Sequence, residues 1–182
     1  MITRGEALEM VNTYLEKKNL VKHVFAVEAI MRALAGRYGG NPEVWGMAGL
    51  LHDLDYERTF GDPGSHGCVT MDLLEGVDLP EEVRHAILAH CDKAGRDSEM
   101  DRAIYAADPV TGLIVASVLM HPSKKLAETD AEFVGKRFRE KRFAAGANRE
   151  AITSCNELGL DLHEFLEISL IAMRSISKEL GL

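Results

Sequence analysis

From end to end the chain carries the signals that start and stop helices, and nowhere the sustained alternation of a strand. Thr3 with Glu6 forms a capping box ahead of Ala7, Leu8, Val11 and Leu15. Asn19 predicts the cap of a second helix whose stripe is His23, Val27, Ile30 and Leu34, stopped by Gly39-Gly40. Asn41 followed by Pro42 opens a third that runs through Asp53. After the polar connection "YERTFGDPGS", Ser65 predicts a helix start near His66. Pro80, Glu81 and Glu82 open the next helix, with Val83, Ile87 and His90 on one stripe. A long helical stretch runs from about Met100 to Met120, with Pro109 as an interior kink or break. Further helices are predicted near 130–143 and 147–158, and a last one from the Asp161–Glu164 capping box to Leu180. No internal repeat or dividing linker interrupts this order. The expectation is an all-α fold, a compact helical bundle of eight or nine helices forming one domain over 1–182.

One of these helices ends strangely. In "MAGLLHDLDYE", residues 47–57, an apolar run delivers His52 and Asp53 side by side, with Asp55 and Glu57 close behind. Ionisable groups inside a core are costly unless paired, hydrogen-bonded or bound to a metal. Partners are available on the inward stripes of other segments: His23, His66, His90 and Asp108, the last in phase with Ile104 one turn earlier. His85, His121 and His163 lack that context. Neutral imidazole and carboxylate together suit divalent Fe, Mn, Co, Ni or Zn. Without thiolates in the set, a structural zinc site is not expected. The adjacent His52 and Asp53 diverge by about 100° around the helix axis, so they can approach an ion from different directions, or the carboxylate can bridge two.

Composition narrows the classes. The chain has 182 residues, 46% hydrophobic and 27% charged, with a formal charge of −8. That balance argues against a protein that coats nucleic acid. The charge is uneven: between Lys124 and Arg149 eight Lys/Arg face four Asp/Glu, a local +4, leaving −12 elsewhere. Such a segment is either a solvated helix face or a patch that meets an anionic ligand. Cys68, Cys91 and Cys155 are scattered without pairing motifs, as expected of reduced thiols. No basic-then-apolar leader is visible, and the longest apolar run, "GLIVASVLM" (112–120), is short of a bilayer span. A cytoplasmic protein with no membrane association is the expectation.

The ordered pattern of His23, His52-Asp53, His66, His90 and Asp108 in a helical chain resembles the HD superfamily of metal-dependent phosphohydrolases. The likeness covers about residues 20–120, and "AGLLHDLD" is close to the family's central helix; it implies a metal-site core over about 20–120 and leaves about 121–182 as a helical extension. The resemblance implies that His23, His52, Asp53 and Asp108 form a primary metal site. It also implies that His66 and His90 add a second, as in members such as diadenosine-tetraphosphate hydrolases, with Asp53 bridging. The chain departs from the HDIG subgroup, carrying Asp55-Tyr56 where that subgroup has Gly and Lys. Some relatives place a catalytic acid just beyond the HD pair, a window that holds Glu57.

The expected activity is therefore hydrolysis of a phosphomonoester, phosphodiester or pyrophosphate through a metal-activated water, with one or two divalent ions as cofactors. Asp53, Glu57 and Asp55 are the candidate catalytic carboxylates. Lys93, Arg58, Lys124, Lys125, Lys136 and Arg137 are candidate phosphate-binding cations. The expected partner is a small phosphorylated substrate such as a nucleotide, and no nucleic-acid polymer. Two other classes carry the same ligands: a di-iron oxygenase of the same fold, and a non-catalytic metal-bearing binding module.

Overall fold

A computed structural model describes all 182 residues. The chain is all-α, with no strand. Helix α1 (Arg4–Tyr14) leads to α2 (Lys18–Tyr38), α3 (Pro42–Leu51), the single turn α4 (Tyr56–Thr59), α5 (Cys68–Leu73), α6 (Glu81–His90) and α7 (Glu99–Met120). A 3₁₀ turn (Leu126–Glu128) precedes α8 (Ala131–Arg139), and α9 (Arg149–Thr153) continues into a second 3₁₀ turn (Ser154–Leu158). Helices α10 (Leu162–Ser175) and α11 (Ser177–Leu180) close the chain.

The Thr3–Glu6 capping box and the Asn41-Pro42 start form as the sequence indicates. Helix α2 starts differently. It begins at Lys18, and Asn19 lies inside it rather than capping it. The Glu57 carboxylate accepts from the N–H groups of Glu16 and Lys17, both at 2.8 Å. A carboxylate at a helix N-terminus satisfies free donors and opposes the positive end of the dipole. Helix α5 begins at Cys68, so His66 sits in a connection instead of a helix. The tail helices are shorter than the periodicity predicts, ending at Arg139 and at Ser175, where Ile176 interrupts the last one.

Helix α7 runs unbroken through Pro109. The proline removes one N–H from the ladder but does not end the helix, because α7 is packed by α2, α6, α8 and α9. By length and composition α7 is also apolar enough to cross a membrane, yet 56% of its apolar window lies buried inside the protein. Its apolarity is that of a core helix.

Helices α2 and α3 lie closest together. A Cβ built on Gly49 would fall 2.8 Å from the Glu28 backbone nitrogen, so only glycine permits this approach. Glu28, buried in the same seam, is bound by Arg4 and Arg32. Helices α2, α3, α6 and α7 thus form a fixed frame, and their ends and inward faces point at one cavity.

Candidate metal centre

Each element of the frame delivers at least one group. His23 comes from the second turn of α2, His52 and Asp53 follow α3, His90 is the last residue of α6, and Asp108 lies in the middle of α7. His66 arrives from the connection before α5. The structure brings all six together. They surround the base of a cavity of about 530 Å³, with His52 fully buried beneath it.

The cluster divides at Asp53. Its Oδ2 lies 3.4 Å from His23 Nε2 and 3.6 Å from His52 Nε2. Its Oδ1 lies 3.4 Å from His66 Nε2 and 3.6 Å from His90 Nε2. Asp108 Oδ1 joins the first group, 3.1 Å from His23 Nε2 and 3.8 Å from His52 Nε2. One carboxylate therefore faces two histidine pairs with its two oxygens, and Asp108 belongs to only one of them.

The partners of the opposite ring nitrogens fix which face of each imidazole looks inward. His52 Nδ1 donates to the Gly49 carbonyl at 2.8 Å, and His90 Nδ1 donates to the Ile87 carbonyl. His66 Nδ1 donates to Asp55 Oδ1 at 2.8 Å. His23 Nδ1 meets Thr111 Oγ1 at 2.9 Å, and that hydroxyl itself donates to the Asp108 carbonyl at 2.9 Å, so it accepts from the ring. Assigned this way, all four Nε2 atoms present lone pairs to the centre. His23 and His52 meet Nε2 to Nε2 at 3.3 Å, and His66 and His90 at 3.1 Å. Lone pairs so close require positive charge between them, supplied by a proton or a metal ion. Nitrogen and carboxylate donors held from behind in this way fit a divalent ion. Subsets of the cluster, His23 with His52 and Asp108, and His52 with Asp53 and His90, have ligand atoms within 4.8 Å of one another.

The titration of the metal-free groups carries the same message. Burial disfavours the charged form of His23, but Asp108 and Asp53 outweigh it and push the imidazole up to about 10. His90 is also raised, against its burial, by Asp53. Asp53 and Asp108 are buried, which alone would raise them, yet the surrounding histidines hold both below the ordinary carboxylate range. The carboxylates are charged and the pocket demands a cation.

The carboxylates beyond the HD pair do not line this cavity. Asp55 is fully buried behind His66, with both oxygens occupied: one by His66, the other by the N–H groups of Gly67 (2.8 Å) and Thr70 (3.1 Å). Glu57 is turned to the start of α2, as described above, with Lys17 Nζ 3.9 Å away. The expectation that either acts on substrate is corrected accordingly, since neither has an oxygen free toward the site.

The candidate cations are also elsewhere. No Lys or Arg lines the cavity. Lys93 Nζ donates to the Gly64 carbonyl at 2.6 Å, steadying the connection that carries His66. Arg58 lies over the Tyr14 ring, Lys136 pairs with Glu132, and Arg137 pairs with Glu140 between Phe133 and Phe143. Lys124 and Lys125 are exposed outside the cavity. Each is satisfied or solvated locally, which spacing along the chain does not reveal. The basic segment does reach the site, but through the small wall residues Ala144, Gly146, Ala147 and Asn148. The Arg149 guanidinium holds that wall by donating to the carbonyls of Phe143, Ala144 and Ala147.

Sequence reasoning also missed Thr111, the partner of His23, and the cavity residues Tyr56, Tyr105 and Asp92. Thr111 lies three residues beyond Asp108, one helical turn on, which is the spacing that could have singled it out.

The HD domain family matches residues 20–113 of the chain. Among curated proteins, a ribonuclease Y from Sulfurovum sp. (strain NBC37-1) is 27% identical over 166 residues, 90% of this chain and 32% of that protein. Ribonuclease Y proteins from Desulfotalea psychrophila and Cutibacterium acnes are 30% and 32% identical over 95 residues each, 52% of this chain and 18% of theirs. The chain thus spans about a third or less of the length of these relatives. No solved structure matches significantly. These relatives overturn the expectation that no nucleic-acid polymer is involved. That expectation rested on the net charge of the whole chain, which averages over local surfaces and says nothing about one catalytic cavity. With the inward histidines, the two aspartates and a match over more than half its length, the chain belongs to the HD domain family of metal-dependent phosphohydrolases.

Proposed function

We propose that the chain is a two-metal phosphodiesterase, with RNA as its substrate class. The carrying observation is the division of Asp53 between His23–His52 on one oxygen and His66–His90 on the other. His23, His52, Asp53 Oδ2 and Asp108 would hold one ion, and His66, His90 and Asp53 Oδ1 a second. Such ions act as Lewis acids on phosphoryl oxygens and lower the pKa of water from ~15.7 toward ~7.

The protein's own part is positioning and charge. The frame fixes the inward aim of four imidazoles, and the buried Asp53 supplies the shared negative charge. Because no Lys or Arg lines the cavity and Asp92 does, the walls do not favour a terminal phosphate dianion. A diester, with one charge per phosphorus, fits better. An adjoining groove shares Gly146, Ala147 and Asn148 with the cavity. It presents Arg139 and Lys141, both exposed and free of ion pairs, beside Glu150 and Glu157. A strand whose scissile diester lies at the aspartates has a route for its flanking phosphates along that groove. The ribonuclease Y relatives support the same substrate class.

The test is hydrolysis of bis(p-nitrophenyl) phosphate, p-nitrophenyl phosphate and a single-stranded RNA oligonucleotide by protein loaded with Mn²⁺, Ni²⁺, Co²⁺ or Fe²⁺. Diester and RNA cleavage are expected, and Asp53→Ala should abolish both cleavage and metal retention. Silence on every substrate with metal verifiably bound would overturn the proposal. Oxygen consumption coupled to oxidation of an organic substrate would replace it with an oxygenase.

A further inference from the structure

Four Nδ1 partners set the aim of the four histidines, and one of them is unlike the rest. The Gly49 and Ile87 carbonyls and the Thr111 hydroxyl are neutral groups on helices that also carry a ligand or border one. The partner of His66 is a carboxylate, Asp55, and His66 itself belongs to no helix. Backbone regularity therefore does not fix this ligand. What holds it is a buried set of contacts centred on Asp55. Its Oδ1 takes His66 Nδ1–H, its Oδ2 takes the N–H groups of Gly67 and Thr70, and its own N–H donates to Thr70 Oγ1 at 3.2 Å. Gly67 makes the geometry possible: it sits at φ +79°, and a Cβ there would lie 2.4 Å from Cys91 Sγ.

We infer that Asp55 is the positioning residue that builds the second ligand set, His66, His90 and Asp53 Oδ1, and leaves the first set untouched. The inference rests on the two-metal reading above. Three donors converge on the two oxygens of Asp55, so the side chain must be an acceptor on both sides. An asparagine there would place an NH₂ against at least one donor. If its oxygen stays with the two backbone N–H groups, its NH₂ faces His66 Nδ1. The ring is then driven to the tautomer with the proton on Nε2, which removes the lone pair offered to a metal. Partners behind a metal-binding histidine typically change affinity by about 10–100-fold when lost. Asp55 makes no hydrogen bond to the first set; its hydrogen bonds go to the segment from His66 to Thr70 and, through its carbonyl, to Arg58 and Thr59 at the end of α4. Thr111 is its counterpart for the first set, through His23.

The experiment is Mn²⁺ titration by calorimetry with elemental analysis on the wild type, Asp55→Asn, Thr111→Val and His66→Ala. Long-range ¹H–¹⁵N spectra of the histidine rings in metal-free protein at mildly alkaline pH accompany it. The wild type is expected to bind two ions, with His66 protonated on Nδ1. Asp55→Asn should keep the first ion within about twofold and weaken the second by about 10–100-fold, matching His66→Ala, with His66 shifted to the Nε2–H form. Thr111→Val should weaken the first ion instead. Asp55→Asn binding two ions as the wild type does, or losing both while folded, would overturn the assignment. So would an Nε2–H tautomer for His66 in the wild type, a measurement that stands even if the variant fails to fold. A wild type that saturates with one ion would instead sink the two-metal reading itself.

Discussion

At the scale of single residues the cluster is a cation trap that is set before any metal arrives. His23 is pushed up to about 10 by Asp108 and Asp53 despite its burial, from an ordinary value of 6.5. A raised histidine contributes stability that is fully present below 6.5 and is lost as pH rises through about 10. The depressed Asp53 and Asp108 contribute stability present above their ordinary 3.8 and lost as pH falls below it. The metal-free protein is therefore expected to lose thermal stability between pH 6.5 and about 10, where the imidazolium is removed and Asp53 and Asp108 lose the cation they share. A divalent ion needs neutral imidazole, so it must displace that proton, and its affinity should climb across the same interval. Calorimetry in two buffers of different ionisation enthalpy checks this at neutral pH. Proton release on Mn²⁺ binding is expected, and identical heats in both buffers would contradict it. Unfolding scans of metal-free and loaded protein should diverge as pH rises.

The elements owe their precision to close approaches that the side-chain pattern only half reveals. Gly49 does two things: its missing Cβ lets α3 lie on the Glu28 backbone of α2, and its carbonyl holds His52. Alanine at this position gains about 1 kcal/mol in helix propensity. It also drives a Cβ to 2.8 Å from backbone atoms that cannot rotate away, an overpacking cost of about 1–3 kcal/mol. The backbone contact decides the sign. Gly49→Ala is expected to lower the melting temperature by a few degrees and to weaken Mn²⁺ binding at the first set by spreading His23 from His52; a stabilised variant with unchanged affinity would contradict this. This is also where the sequence was legible and where it was not. His90 and Asp108 could be read because each lies on the apolar stripe of a helix whose phase is set by its neighbours, and His52 and Asp53 because they directly follow the apolar run of α3. His66 had no such phase, and its place follows from Asp55, eleven residues earlier. Asp55 and Glu57 look alike along the chain, yet one ends behind a ligand and the other at the start of α2. That difference arises only because the chain enters α4 at Asp55 and carries Glu57 in its first turn, so no local pattern encodes it.

For the whole molecule, the RNA substrate proposed above requires an acidic protein to meet a polyanion. The net charge of −8 includes a local +4 between Lys124 and Arg149, but three of that segment's eight cations, Lys136, Arg137 and Arg149, are engaged with neighbouring acids, aromatic rings or carbonyls. Spacing alone could not separate those from Arg139 and Lys141, because ion pairing on a surface depends on what folding brings near. Of the segment's unpaired cations, these two line the groove that joins the cavity at Gly146–Asn148, and Lys124, Lys125 and Arg142 do not. If flanking phosphates of RNA lie there, charge reversal at Arg139 and Lys141 should weaken binding of an oligonucleotide far more than it slows bis(p-nitrophenyl) phosphate, which has no flanking phosphates. Each lost phosphate contact on a single strand should also flatten the dependence of log affinity on log salt by roughly 0.7. The doubly reversed variant is thus expected to show a slope shallower by roughly 1.4, with metal content and small-diester turnover unchanged. Fluorescence anisotropy of a labelled RNA across a salt series measures it. An unchanged slope with unchanged affinity would remove the groove from the path of the strand and leave the cavity as the sole point of contact.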